Sequence, residues 1–205
     1  MPLLIIKGVK MEAKKKILYI HGYGSTGNAM KAQKLQAMFP EAQVVAPTLD
    51  YDHLSPYDIL QRLKETVATE QPAFILGSST GGYYALCCTQ FYDGPVWCVN
   101  PVRDIFNTLT RIVPAQLRER PEAQVLLREY ERFDREVFQR LHPADGQLHF
   151  ALSTDDELLG DHRPLLELFP NHGTVVWKDH CGHRFYRFEE LFECLNVIMC
   201  NCVNA

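Results

Sequence analysis

The stretch that most constrains this chain is Gly77-Ser78-Ser79-Thr80-Gly81, which lies where the apolar run Ala73-Phe74-Ile75-Leu76 stops and a helix-like run begins. It matches G-x-S-x-G, the pattern of a serine on a sharp turn between a buried strand and a helix. The flanking positions of such a turn must be small for the two backbones to pass closely. Gly77, Gly81 and also Gly82 supply them. A glycine-rich turn without chemistry has the same pattern, but the strand-then-helix context makes Ser79 a candidate nucleophile.

The rest of the chain alternates strand-like and helix-like segments, which predicts an α/β fold with a mostly parallel sheet and helices on both faces. Ile17 to Ile20 reads as a strand and runs into His21-Gly22-Tyr23-Gly24-Ser25-Thr26-Gly27-Asn28. A helix over 29–39, closed by Pro40, leads to a second buried strand at Val44 to Ala46. Ser55 as N-cap, Pro56 at the first helical position and Asp58 as capping carboxylate then start a helix whose Leu60, Leu63 and Val67 face the sheet. The helix after the serine, over 81–91, is apolar on most of its surface and therefore buried, and Asn100-Pro101 breaks the following strand, Val96 to Val99.

Residues 103–145 depart from the alternation, being rich in Arg and Glu with no strand-like run. Pro114 and Pro121 are helix starters, and Leu126, Tyr130, Phe133, Val137 and Leu141 recur at helical spacing opposite Glu131 and Arg135. This predicts a helical cap inserted between two strands of a single domain spanning 1–205; a plain crossover with one long helix is the alternative. Alternation resumes with a strand at Leu148 to Leu152, a helix over 162–169 and a strand at Thr174 to Trp177. A terminal helix follows, with Phe188, Leu191, Leu195, Ile198 and Cys202 as its buried stripe. Leu3 to Ile6 reads either as an edge strand or as part of an extension.

Composition removes several function classes. The 205 residues are 46% hydrophobic, ample for a core, and a formal net charge of -4 with interspersed charges leaves no nucleic-acid footprint. Lys14-Lys15-Lys16 reads as a solvated lead-in to a strand. No apolar stretch approaches the roughly 20 residues of a transmembrane segment, and Pro2 to Lys10 has the wrong polarity and length for a signal peptide. With seven cysteines, mostly inside apolar runs, the expectation is a cytoplasmic protein with reduced thiols.

A serine nucleophile needs a base, an acid that orients the base, and donors for the oxyanion. On such a sheet the order along the chain is Ser, then Asp or Glu, then His. Asp155 and Asp156 follow one strand and His180 and His183 the next, both just past the C-terminal ends where open α/β sheets place ligands. Asp104, after the strand that follows the serine's helix, and Asp161, which also reads as a helix N-terminal cap, compete for the acid's place. The oxyanion donors are expected to be the N–H groups of Thr80, after the nucleophile, and of Tyr23 in the early loop. His21 is expected to shape that loop and carry no proton; with Phe106 and Phe133 of the cap it is a substrate-binding candidate. His53, His142, His149, His162 and His172 read as surface or helix-end residues. No cofactor is called for, and His180, Cys181 and His183 lack the second ligand cluster of a metal site.

The strand and His-Gly loop at 17–27, the segment Gly77-Ser78-Ser79-Thr80-Gly81-Gly82-Tyr83-Tyr84-Ala85, the acid segment Thr154-Asp155-Asp156-Glu157 and the segment Gly182-His183-Arg184-Phe185 together resemble the YqiA-type small esterases of the α/β-hydrolase superfamily. The likeness spans most of residues 17–200. It implies an esterase or thioesterase acting on small-molecule acyl esters or thioesters, with Ser79, Asp156 and His183 as triad. The chain departs from that family at Thr80, where leucine or a similar apolar residue is usual, and in its longer cap. Two other readings compete. Gly22-Tyr23-Gly24-Ser25-Thr26-Gly27 is also a dinucleotide-type G-x-G-x-x-G, but the acid this requires is poorly placed, since the second strand ends in Pro47-Thr48 and Asp50 comes late. A hydrolase-fold binding protein without catalysis is disfavoured because a competent residue fills every triad position.

Overall fold

The structure, a computed structural model, describes residues 14–201. The expectations for Leu3 to Ile6 and for Cys202 lie outside them. Six strands, β1 (Lys16–Ile20), β2 (Gln43–Val45), β3 (Phe74–Ser78), β4 (Val96–Val99), β5 (Leu148–Ser153) and β6 (Val175–Lys178), form one sheet in the order β2-β1-β3-β4-β5-β6. Every neighbouring pair runs parallel. β3 and β4 are buried along their whole length, which is why they read as continuous apolar runs without alternation.

Side chains alternate across the sheet and divide the core in two. Leu18, Ile20, Ile75, Val96 and Cys98 face the layer of α2 (Pro56–Glu70) and α3 (Thr80–Cys88). Ile17, Tyr19, Phe74, Leu76 and Trp97 face α1 (Met30–Met38) and α8 (Phe192–Asn201). α2 begins as its sequence requires, with the Ser55 side chain accepting from the Asp58 N–H at 3.1 Å. Its buried positions are Pro56, Ile59, Leu63 and Val67, and Leu60 packs at the margin. A single turn of 3-10 helix at Phe188–Leu191 precedes α8; Phe188, Leu191 and Leu195 are buried and Ile198 is partly so.

Between β4 and β5 the chain forms α4 (Ile105–Ile112), α5 (Ala115–Arg118), α6 (Pro121–Glu136) and a 3-10 turn at Phe138–Arg140. Pro121 opens α6 at its first turn, where a missing N–H costs no hydrogen bond. The apolar stripe does not continue as one helix to Leu141: α6 ends at Glu136, and the turn brings Phe138 flat onto Tyr83, with ring centroids 4.5 Å apart. Phe133 is fully buried among Tyr57, Tyr83 and Tyr84, so the insertion is packed into the core. α7 (Arg163–Leu168) joins β5 to β6. No helix among the described residues is long and apolar enough to cross a membrane.

Candidate active site

β3 delivers the chain to Ser79, whose backbone takes φ 57° and ψ -122° before α3 starts at Thr80. A non-glycine residue held there costs on the order of 1–3 kcal/mol, so its surroundings must enforce it. They do so through three backbone bonds: Ser79 N–H to the Val99 carbonyl at 3.0 Å, and Tyr83 and Val102 N–H to the Ser79 carbonyl at 3.1 and 3.2 Å. A side chain on Gly77 would stand 2.2 Å from the Gly81 carbonyl oxygen, and one on Gly81 2.1 Å from that of Ile20. The two motif glycines are therefore required by the crossing of β3, α3 and β1.

The hydroxyl of Ser79 lies 2.8 Å from His183 Nε2. His183 Nδ1 is 3.0 Å from both Oδ1 and Oδ2 of Asp156. A carboxylate only accepts, so Nδ1 carries the proton and Nε2 is left to accept from the serine. The Asp156 side chain is fully buried. Burial alone would raise its pKa, but hydrogen bonds from His162, His183 and the Leu159 N–H outweigh that and hold the carboxyl well below the usual carboxylate range.

The loop carrying His183 is fastened from two sides. From the acid segment, Asp155 Oδ1 accepts from the N–H groups of Cys181 and Gly182 at 3.1 Å each, and Glu157 Oε2 accepts from that of His183 at 2.7 Å. From the end of β4, Asn100 Nδ2 donates to the carbonyls of Gly182 and His183 at 2.9 and 3.1 Å, while its Oδ1 accepts from Ser153 N–H at 2.7 Å. Asn100 itself sits at φ 40°, a conformation asparagine tolerates better than most residues. The competing acids are engaged elsewhere. Asp104 caps α4 by accepting from Asn107 N–H at 2.9 Å, and Asp161 accepts from the Arg163 N–H at 2.9 Å. His180 is exposed.

Thr80 is the first residue of α3, so its N–H is one of the helix's unsatisfied amino-terminal donors. The early loop runs against the serine: a side chain built on Gly22 would come within 3.2 Å of Ser79 Cβ, which puts Tyr23 beside the same corner. Its phenol is turned away to Asp52, at 2.6 Å. His21 is fully buried and faces the protein. Its Nε2 accepts from the Leu49 N–H at 2.9 Å, its Nδ1 donates to the Gly22 carbonyl at 2.8 Å, and the His21 carbonyl accepts from the Tyr51 hydroxyl at 2.6 Å. With both ring nitrogens committed it shapes the loop and has none left for a substrate, which corrects its candidacy as a binding residue.

A cavity of about 350 Å³ lies between Tyr23 and the inserted helices, with Tyr51, Leu109, Val113, Leu126 and Tyr130 as apolar walls and Asp52, His53, Arg120 and Glu122 also on its lining. Neither Phe106 nor Phe133 lines it. Phe106 is half-buried on α4, and Phe133 is locked in the aromatic core behind the wall. Asp50, the late acid of the dinucleotide motif, is occupied by the N–H groups of Asp52 and His53 and by the His53 ring.

Three residues near the serine gave no signal in the sequence. Asn100 was legible only as a strand breaker. Lys31 of α1 donates to Ser78 Oγ at 2.6 Å, and burial, then the charges of Arg184 and Lys34, lower its pKa to about 8. His162, read as a helix-end residue, is buried with Nε2 2.9 Å from Asp156 Oδ2. Among the described residues no cluster of three or more His, Cys, Asp or Glu side chains is placed to hold a metal ion.

Comparison with known proteins places this geometry in context. Residues 16–200 match the model of an uncharacterised protein family, UPF0227. A UPF0227 protein of Vibrio vulnificus strain CMCP6 is 27% identical over 183 residues, covering 85% of this chain and 93% of the relative. Among solved structures, an alpha/beta hydrolase enzyme from the metagenome of sediments of the Mar Chica lagoon superposes with a TM-score of 0.64 at 16% identity, covering 90% of each chain. A monoacylglycerol lipase of Paleococcus ferrophilus does so at 0.61 and 14% identity, covering 93% of this chain and 95% of the other. The shared architecture is the α/β-hydrolase fold.

Proposed function

The chain belongs to the UPF0227 family, and from that premise we propose that it is a serine hydrolase that cleaves acyl esters or thioesters through Ser79, His183 and Asp156. The observation that carries this is the 2.8 Å contact of Ser79 Oγ with His183 Nε2, on a ring whose other nitrogen faces a buried carboxylate. The contact lies inside the range in which a base removes a hydroxyl proton.

His183 takes the Ser79 proton as the hydroxyl oxygen attacks the acyl carbon. The N–H groups of Thr80 and Tyr23 hold the oxyanion, and His183 then returns the proton to the departing alcohol or thiol. Water, deprotonated by the same imidazole, releases the acid from Ser79 and restores the enzyme. Asp156 keeps the proton on Nδ1 and stabilises the imidazolium that forms in each half. The acyl chain is assigned to the 350 Å³ cavity under α4 and α6, within the usual size range of small-molecule sites. The free thiols of Cys87, Cys88, Cys98, Cys181, Cys194 and Cys200 fit a reducing, cytoplasmic setting.

The test is a panel of esters and thioesters of graded acyl length, run on wild type, Ser79→Ala and Ser78→Ala, with a fluorophosphonate probe for the nucleophile. Wild type and Ser78→Ala hydrolyse and are labelled; folded Ser79→Ala does neither. Labelling that survives Ser79→Ala overturns the assignment.

A further inference from the structure

Asp156 is shared by two imidazoles. His162 closes the short loop between β5 and α7, where its carbonyl accepts the first backbone bond of the helix, from Leu165 N–H at 3.0 Å. Its ring reaches back to Asp156 with the side chain 3% exposed. The two carboxylate oxygens are not equivalent. Oδ1 accepts from the N–H groups of Leu158 and Leu159 at 3.0 and 2.8 Å, fixing it to the turn that Gly160 N–H closes on the Asp156 carbonyl at 2.9 Å. Oδ2 has no backbone donor in that turn; beside His183 its donor is His162 Nε2, at 2.9 Å.

That asymmetry defines a task. His183 Nδ1 stands 3.0 Å from each oxygen, so the position and plane of the carboxylate set the direction in which the imidazole points toward Ser79. Rotation about the Asp156 Cβ–Cγ bond swings both oxygens together, and the turn donors hold the Oδ1 side alone, so a donor on Oδ2 fixes the plane of the carboxylate from its other side. A buried carboxylate oxygen short of a donor is also costly, and charge-assisted bonds are about twice as strong as neutral ones. We propose that His162 is a positioning residue of the hydrolytic site: its Nε2–H pins Asp156 Oδ2 so that the carboxylate holds His183 in line with Ser79. It touches neither substrate nor reacting atoms, and the proposal rests on the Ser79, His183 and Asp156 assignment.

The full chain is compared as wild type, His162→Gln and His162→Leu. Glutamine can place an amide N–H where Nε2–H stood, whereas leucine fills similar space without a donor. Thermal midpoints establish that each variant is folded at the assay temperature. Steady-state hydrolysis of one ester is expected to show His162→Leu losing ten- to hundredfold in kcat with KM within about twofold, and His162→Gln recovering most of the loss. A low-field proton resonance of the His183 Nδ1–H···Asp156 bond, assigned by its loss in His183→Gln, is expected to move or broaden in His162→Leu and to persist in His162→Gln. A kcat for His162→Leu within threefold of wild type, an unmoved resonance, or glutamine no better than leucine each overturns the proposal. If wild type shows no Ser79-dependent hydrolysis, it is the hydrolase assignment that has failed, and the resonance still decides whether His162 orients the Asp156 and His183 pair.

Discussion

Asp156→Asn should cripple turnover while leaving the fold standing, and the hydrogen bonds around the side chain say why. Of its four donors, two backbone N–H groups reach Oδ1, the His162 imidazole reaches Oδ2, and the His183 imidazole stands equally close to both oxygens. An asparagine amide nitrogen placed on the backbone side would face two N–H donors, so the amide oxygen goes there and the NH₂ turns toward His162 and His183. Facing a donor, His183 shifts its proton to Nε2, where it points at Ser79 and can no longer accept. The same tautomer error lowers kcat about 10⁴-fold in the Ser-His-Asp proteases, equivalent to about 5.4 kcal/mol in the barrier at 1.36 kcal/mol per decade. We therefore expect a loss of that size for Asp156→Asn, measured as kcat on the best ester of the panel, against less than tenfold for Asp104→Asn and Asp161→Asn. The variant should also be less sensitive to acid. A carboxyl held below its unfolded value near 3.9 contributes stability that is present above that pH and lost as pH falls toward the folded pKa. The acid limb of the thermal midpoint should accordingly flatten in Asp156→Asn. A folded Asp156→Asn within tenfold of wild type, or a crippled Asp104→Asn, refutes the assignment of the acid.

Two further outcomes follow from the packing. Asn100→Ala removes the side chain that holds the Gly182 and His183 carbonyls and the Ser153 N–H, all at a fully buried position. At about 1–3 kcal/mol per buried group left unpaired, it should lower stability by 2 kcal/mol or more in denaturant unfolding and reduce kcat more than tenfold; unchanged kcat would show that the His183 loop does not depend on it. Leu126→Trp narrows the cavity under α6 and should shift preference to shorter acyl chains, with the shortest ester turned over at nearly the wild-type rate. An unchanged chain-length profile would place the acyl group elsewhere. Excising 103–145 would strip Phe133 and Phe138 from Tyr83 and Tyr84 and open the core, so the cavity is probed by a single substitution that leaves this packing in place.

How far the sequence can be read depends on how local each cause is. The turn at Ser79 was legible because its requirements, small residues on either side of a serine between an apolar strand and a helix, fall within five consecutive positions, as does the Ser55, Pro56 and Asp58 start of α2. The strands that run buried through the sheet announced themselves by unbroken apolar composition. The acid and base segments were placed by a coarser rule, the C-terminal ends of successive strands, and that rule left Asp155, Asp156 and Asp161 unresolved. Resemblance to a known family singled out Asp156, and the fold gives the physical reason: Asp155 faces the backbone of the His183 loop, Asp156 its imidazole, and Asp161 the start of α7. Phe133 shows the opposite error. Helical spacing correctly made it an inward residue of α6, but spacing does not say whether the inward face meets a cavity or a core, and here the neighbouring Tyr130 lines the cavity while Phe133 is packed behind it. His162 and Asn100 could not have been found by any local pattern. Each is an ordinary polar residue beside a proline or an arginine, and each matters only because β4, β5 and the loops after them bring it against a segment distant in the chain or folded back upon it. The roles least visible in the sequence are thus those that orient the groups it does reveal, and the variants at Asn100 and His162 measure how much of the site's order depends on them.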